Sequence, residues 1–114
     1  MATAYKILGQ SNPSATTATT LYTVPNTSTT TVVSTITVCN QAASAGTFRI
    51  AVRPSGATLA ASHYVAYDVA IAANDTTALT LGLTLSGANT SGDIVTVYAS
   101  SANMSFHAYG SEIS

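Results

Sequence analysis

Charged side chains are scarce in this sequence of 114 residues, which has three Lys or Arg, four Asp or Glu and a formal net charge of −1. The basic residues form no run, and a protein that neutralises several phosphates needs several of them, so nucleic acid is not an expected partner. No stretch approaches the ~18–20 apolar residues of a membrane span, so a membrane is not an expected partner either. The first residues lack the basic segment and apolar block of a classical signal peptide, so export by the general secretory route is not expected.

Groups that bind metals or carry out catalysis are equally few. The single cysteine, Cys39, excludes an internal disulfide and a CxxC pair; it ends an apolar alternating run, so we interpret it as a buried, inert thiol rather than a nucleophile. His63 and His107 lie far apart in sequence without donors at ligand spacing, which argues against a zinc site. An oxygen-ligand calcium site at Asp75 or Asp93 is left open.

Catalytic signatures are also missing. No GxSxG motif occurs, and the four acids do not form an evident pair for glycoside chemistry. We therefore expect a protein with no enzymatic activity, no catalytic residues, no metal and no cofactor.

Small hydroxyl residues are abundant, with twenty threonines and fourteen serines. They can cover a surface without the charge that keeps monomers apart, which favours a subunit packed among other subunits. Hydrophobic residues make up 46% of the chain, enough for a core despite the lack of tryptophan. Length predicts one domain, and we expect a homo-oligomer.

Period-two patterning recurs along the whole chain and predicts strands rather than helices. It places Phe48, Ile50 and Val52 on a core face and puts Arg49 and Arg53 together on the opposite face. Two further faces are predicted by the same alternation: Val32, Ile36 and Val38 on one strand, and His63, Val65, Tyr67, Val69 and Ile71 on another.

About eight such runs are separated by polar turn clusters, near 11–14, 25–28, 43–46, 54–56, 73–75 and 86–92. Short strands at this spacing predict an all-β fold, an antiparallel β-sandwich of jelly-roll or immunoglobulin-like type. We interpret residues 1–30 as an extended N-terminal arm with edge strands and residues 31–114 as the sandwich domain. Such an arm could add a strand to a neighbouring subunit.

The candidate functional residues are interface residues. Asp68 is expected to meet one of the two arginines across the sheet if strands 47–53 and 63–71 pair, as a surface or interface ion pair. The tyrosines 64, 67, 98 and 109 favour a protein interface, with stacking against sugar rings as the alternative. The predicted interface set is Tyr5, Leu8, Tyr22, Arg49, Arg53, Tyr64 and Tyr98.

Several segments together resemble small virion structural proteins of tailed bacteriophages, including cyanophages; they lie at residues 4–10, 21–25, 31–40, 48–54 and 110–113. The resemblance implies a non-enzymatic, β-rich component of the virion, most plausibly a capsid decoration (cement) protein on the capsid exterior. Its expected partners are copies of itself, as a trimer, and the major capsid protein. Alternatives are a tail, baseplate or fibre protein, a receptor-binding module that recognises glycan, and a subunit of an extracellular filament. The resemblance implies no site residues.

Overall fold

The computed structural model describes residues 2–87 and 92–114, and within them the chain forms eight β-strands in two sheets. Sheet I has the strand order β1–β8–β3–β6 and sheet II the order β2–β7–β4–β5. The strands are β1 (Thr3–Ser11), β2 (Thr19–Thr23), β3 (Thr30–Asn40), β4 (Gly46–Arg53), β5 (Tyr64–Ile71), β6 (Thr76–Ser86), β7 (Ile94–Ala99) and β8 (Met104–Ile113). The all-β sandwich predicted from the alternation is confirmed.

The pairing pattern identifies the type of sandwich. All pairs are antiparallel, and they join the first strand to the last, the second to the seventh, the third to the sixth and the fourth to the fifth. A long hairpin folded over on itself produces this nested pattern, which is that of an eight-stranded jelly roll. The structure thus selects the jelly roll from the two sandwich types that the sequence left open.

The core lies between the sheets and is built by alternate residues of their central strands. Phe48 from sheet II meets Phe106 from sheet I edge to face, with ring centroids 6.2 Å apart and an interplanar angle of 74°. Both rings are fully buried. Their aliphatic neighbours in the core include Ile36, Val38, Ile50, Val95, Val97 and Met104.

The first thirty residues belong to this sandwich. Strand β1 pairs with β8 along its length, and β2 pairs with β7. Leu21, Tyr22 and Val24 are core residues. Residues 2–30 therefore supply an edge strand to each sheet of their own subunit, and among the described residues they form no separate arm.

Two predicted faces are wrong, and a β-bulge is the reason in each case. A register shift between Val33 and Thr35 reverses the alternation, so Val33 is buried with Ile36 and Val38 while Val32 lies on the outer face. On β5 the register shifts between the residue paired with Phe48 and the residue paired with Ile50, and within this interval Asp68 adopts a φ of 49°. Val65 and Tyr67 are consequently exposed, whereas Val69 and Ile71 face the core.

Most loops coincide with the predicted turn clusters, but the connection from β7 to β8, residues 100–103, was not predicted. Residues 12–18, 24–29, 41–45 and 72–75 connect consecutive strands, and two short 3-10 turns, Pro54–Gly56 and Ala61–His63, lie between β4 and β5. Residues 88–91 of the turn predicted at 86–92 lie outside the described residues.

Candidate functional site

Arg49 lies at the centre of a cluster on the outer face of sheet II. Its neighbours in the strand, Phe48 and Ile50, point into the core, so strand alternation directs Arg49 outward. In the register of the sheet Arg49 is opposite Tyr98 of β7. The cluster is completed by Tyr67 and Asp68 of β5.

The guanidinium of Arg49 is held from several directions. Its Nε donates to Oδ1 of Asp68 at 2.6 Å and its Nη2 to Oδ2 at 3.3 Å. The carbon of the guanidinium also lies over the ring of Tyr67, 4.2 Å from the centroid, and over that of Tyr98, at 4.3 Å. Flat stacking and a forked hydrogen bond are the contacts that arginine makes best. The predicted ion pair across the sheet is confirmed, with Arg49 as the partner of Asp68.

The electrostatic consequence is local. The hydrogen bond that Arg49 donates to Asp68 raises the pKa of Arg49 above its ordinary value, although partial desolvation opposes the effect. Because Asp68 is nearly half exposed, solvent screens the pair, and it contributes little to the stability of the fold.

The bulge on β5 explains how Tyr67 and Asp68 share this face. In a regular strand, consecutive side chains would point to opposite faces. The left-handed backbone of Asp68 inserts an extra residue, so Tyr67 stays in solvent beside Arg49.

A groove of about 630 Å³ adjoins the cluster. It is lined by Leu59, Ala60 and Ala61 of the loop before β5 and by Tyr64 and Tyr67. The two tyrosine rings are perpendicular, at 83°, with centroids 4.9 Å apart. His63 fixes the loop, since its Nδ1 accepts the backbone N–H of Ala60 at 3.1 Å. The groove can accept a flat or apolar group against the exposed ring of Tyr67.

Arg53 lies on the same face as Arg49 but has a different role. Its Nε donates to the carbonyl oxygen of Ala57 at 2.7 Å, and its other nitrogens reach the carbonyl of Gly56 and the hydroxyl of Thr96 at 3.5 and 3.4 Å. The guanidinium therefore holds the loop that follows β4, and its donors are used within the chain.

A second polar cluster joins residues from near both ends of the chain. The hydroxyl of Tyr22 donates to Oε2 of Glu112 at 2.5 Å and lies 2.7 Å from Oγ1 of Thr31. The other carboxylate oxygen of Glu112 is 2.6 Å from Nζ of Lys6. Tyr22, predicted as an interface residue, is thus buried in the core of its own subunit, with 7% of its surface exposed.

These contacts change the pKa values of Tyr22 and Glu112. Burial raises the pKa of Tyr22 above its ordinary value of 10, and the hydrogen bond to Glu112 adds to this shift. The hydrogen bond from Lys6 lowers the pKa of Glu112 below its ordinary value of 4.5, and the bond from Tyr22 lowers it further. Both shifts favour a neutral tyrosine next to an ionised glutamate.

The remaining predicted interface residues lie on or near sheet I. Tyr5 is 85% exposed, whereas Leu8 is half-buried and packs against the core. Register places Ile7 opposite Tyr109 and Tyr5 opposite Ser111, so Tyr5, Ile7 and Tyr109 share the outer face. We call these three residues the sheet I patch. Ile7 was missing from the predicted set, although its alternation with Tyr5 could have indicated it.

Sequence reasoning also missed part of the groove. Tyr64 and Tyr98 were predicted interface residues and lie on one face with Arg49, but Leu59, Ala60 and Ala61 carried no signal, because small apolar residues in a loop have no characteristic pattern. Among the described residues no group of three His, Cys, Asp or Glu side chains is placed to hold a metal ion. Cys39 is half-buried. In the same part of the chain, no helix has the length and apolar character needed to span a membrane.

Comparison with known proteins gives one informative result. No protein-family model and no curated protein matches this chain. Among solved structures, the chain is similar to one described as the structure of infectious bursal disease virus, Gx strain, with a TM-score of 0.54 and 12% sequence identity. The match covers 97% of this chain but only 31% of that one, so this chain spans about a third of its length. At this identity the similarity shows the fold alone.

Proposed function

We propose that this chain is a non-enzymatic structural subunit of a virus particle, a capsid decoration (cement) protein that binds the lattice of major capsid proteins. The observation that carries the proposal is the eight-stranded jelly roll, an architecture common in viral capsid domains, in a chain similar over nearly its whole length to part of a virus structure. The resemblance to small virion proteins of tailed phages points in the same direction.

The surface of the molecule supports assembly with other proteins. The sheet I patch exposes three large apolar or aromatic side chains next to one another, and such clusters mark interaction sites. Around them, the outer faces of β3 and β6 carry threonines rather than charges. A decoration protein could therefore bury this face against a capsid lattice without desolvating ions.

The acids support a structural role rather than catalysis. Asp68 and Glu112 bind Arg49 and Lys6, as described above. Asp93 accepts the backbone N–H groups of Ser55 and Ser86 at 2.8 and 3.0 Å, and Asp75 accepts that of Thr76. Each carboxylate thus takes part in a bond that holds the fold.

Particles of the virus that encodes this chain test the proposal. Virions made with the gene disrupted should assemble but lack a protruding density on the capsid exterior in cryo-electron microscopy, and added protein should restore it. Ile7→Lys should reduce the restored density at least tenfold, because it places a charge in the sheet I patch. Val65→Lys is the matched control, since Val65 is exposed to a similar degree on sheet II, 45% against 54%. Density lost from the tail instead, or absence of the protein from purified virions, would contradict the proposal.

A second candidate function is favoured by the groove beside Tyr64 and Tyr67. Jelly rolls also serve as lectin domains, and the ring of Tyr67, 57% exposed, can stack against the apolar face of a sugar. On this hypothesis the chain is a receptor-binding module that recognises surface glycan.

A glycan array tests whether the chain recognises glycan. Binding by the wild-type protein should be lost in Tyr67→Ala and kept in Tyr5→Ala, which removes an even more exposed tyrosine from the opposite sheet. If the wild-type protein binds no glycan, or if both variants bind equally, the groove is not a sugar site.

A further inference from the structure

The four edge strands of the sandwich differ in how they are protected against pairing with another chain. Natural proteins protect edges with short strands, bulges, prolines or charges. Strand β1 carries Lys6 and a bulge, β2 has five residues, and β5 carries the bulge at Asp68. Strand β6 has a bulge at Gly82, but it has eleven residues and contains neither a charge nor a proline.

One side of β6 has no strand beside it. The strand pairs with β3 alone. Its last residue, Ser86, is bonded to Asp93: the carboxylate of Asp93 accepts the N–H of Ser86, and the backbone N–H of Asp93 donates to the carbonyl of Ser86. Along residues 77–85, the described part of the chain offers no further backbone partner on the outer side. This row of N–H and C=O groups can therefore pair with an additional strand.

The apolar side chains of β6 show the same asymmetry. Leu79, Leu81 and Leu83 face the core but are only half-buried, whereas Leu85 is fully covered. On the opposite side of the sandwich, β1 approaches β2 so closely that a Cβ at Gly9 would overlap the carbonyl of Leu21. The sandwich is thus closed at the β1–β2 side and leaves a row of leucines partly open at the β6 side.

We propose that β6 pairs antiparallel with β6 of a second copy of this chain, related by a two-fold axis near Leu81. The pattern of β6 is self-complementary about this residue, since Leu79 then faces Leu83 of the second copy and Ala78 faces Thr84. Sheet I becomes a continuous sheet of eight strands, and the two rows of leucines cover each other. The bulge at Gly82, with a φ of 60°, lies next to the axis in both copies, so it interrupts the pairing at the centre and leaves the flanking segments free to pair.

Charge and size favour a second copy over the other edges of this protein. Strand β1 carries Lys6 and β5 carries Asp68, whereas β6 matches β6 in length and in the absence of charge. Nine residues of an extended strand span about 30 Å, and the shortest dimension of the molecule is 19 Å. The product of these two lengths gives a buried surface of roughly 600 Å² on each copy. This is near the ~800 Å² per partner of a standard interface.

Charge variants test the proposal by sedimentation equilibrium. The wild-type protein should have twice the monomer mass at high concentration. Thr80→Lys and Thr80→Glu should each weaken the dimer at least tenfold, because Thr80 is exposed on β6 and the like charges meet near the axis. An equimolar mixture of the two variants should recover the dimer, which only pairing between two copies at this position explains.

The matched control is Thr35→Lys, which lies directly opposite Thr80 on the neighbouring strand β3 and on the same outer face. It should dimerise like the wild type, since β3 is not an edge strand. Ala78→Lys is a second edge variant, and thermal melts by circular dichroism establish that every variant is folded. A monomeric or trimeric wild type, equal loss of the dimer in Thr35→Lys, or failure of the mixture to recover would overturn the proposal. The location of the protein on the virion is independent of all these outcomes.

Discussion

Phe48→Ala should yield protein that is insoluble or largely unfolded at room temperature. Phe48 has no exposed surface and packs edge to face on Phe106 from the opposite sheet. Truncating a buried phenylalanine costs about 3–5 kcal/mol, and a small domain has only about 5–15 kcal/mol in total. The measurement is the soluble yield together with denaturant unfolding followed by far-ultraviolet circular dichroism.

Two variants make this result specific. Phe48→Leu keeps most of the volume and should lose clearly less stability than the alanine variant. Tyr5→Ala removes an aromatic ring of similar size from the surface and should unfold within about 0.5 kcal/mol of the wild type. A stable, soluble Phe48→Ala protein would mean that the two sheets do not pack through this residue.

Glu112→Gln should destabilise the fold by about 1–3 kcal/mol near neutral pH, because it removes a charge that binds both Lys6 and Tyr22 inside the sandwich. The glutamine has the same shape, so the loss reports the charge rather than a cavity. Asp75→Asn is the control: it removes the same formal charge from an exposed loop, where the carboxylate of Asp75 accepts the adjacent backbone N–H of Thr76.

The effect of Glu112→Gln should depend on pH in a defined direction. The pKa of Glu112 is lower in the folded chain than its ordinary value of 4.5, so its contribution is complete above that value and is lost as the pH falls through the folded pKa. Tyr22 has a raised pKa, so its contribution is lost only as the pH rises above its ordinary value of 10. The difference in unfolding free energy between wild type and Glu112→Gln should therefore shrink as the pH falls from neutral through and below 4.5. A difference that stays constant over this range would contradict the assigned ion pair.

The two arginines of β4 show what the alternation of the sequence could predict and what it could not. Alternation placed Arg49 and Arg53 on one face, as the structure has them, and it anticipated an ion pair with Asp68. It gave no means to distinguish their roles. Arg49 is opposite a tyrosine and Arg53 is opposite Ile94, beside the carbonyls of a returning loop. Tyr98 and Ile94 come from β7, a strand far away in sequence.

The sequence by itself determined the positions of the eight strands and of the turns, because a strand with one buried face must repeat every two residues and a turn needs small or polar residues. It also determined the core face of β4. Only the tertiary structure decided the nested pairing of a jelly roll, because the partner of a strand depends on how distant segments fold together. Tertiary packing likewise decided the two bulges that placed Tyr67 and Val32 on the outer faces of their sheets, since a bulge forms where two paired strands differ by one residue. The burial of Tyr22 follows from the same cause, because Glu112, which binds its hydroxyl, lies at the other end of the chain.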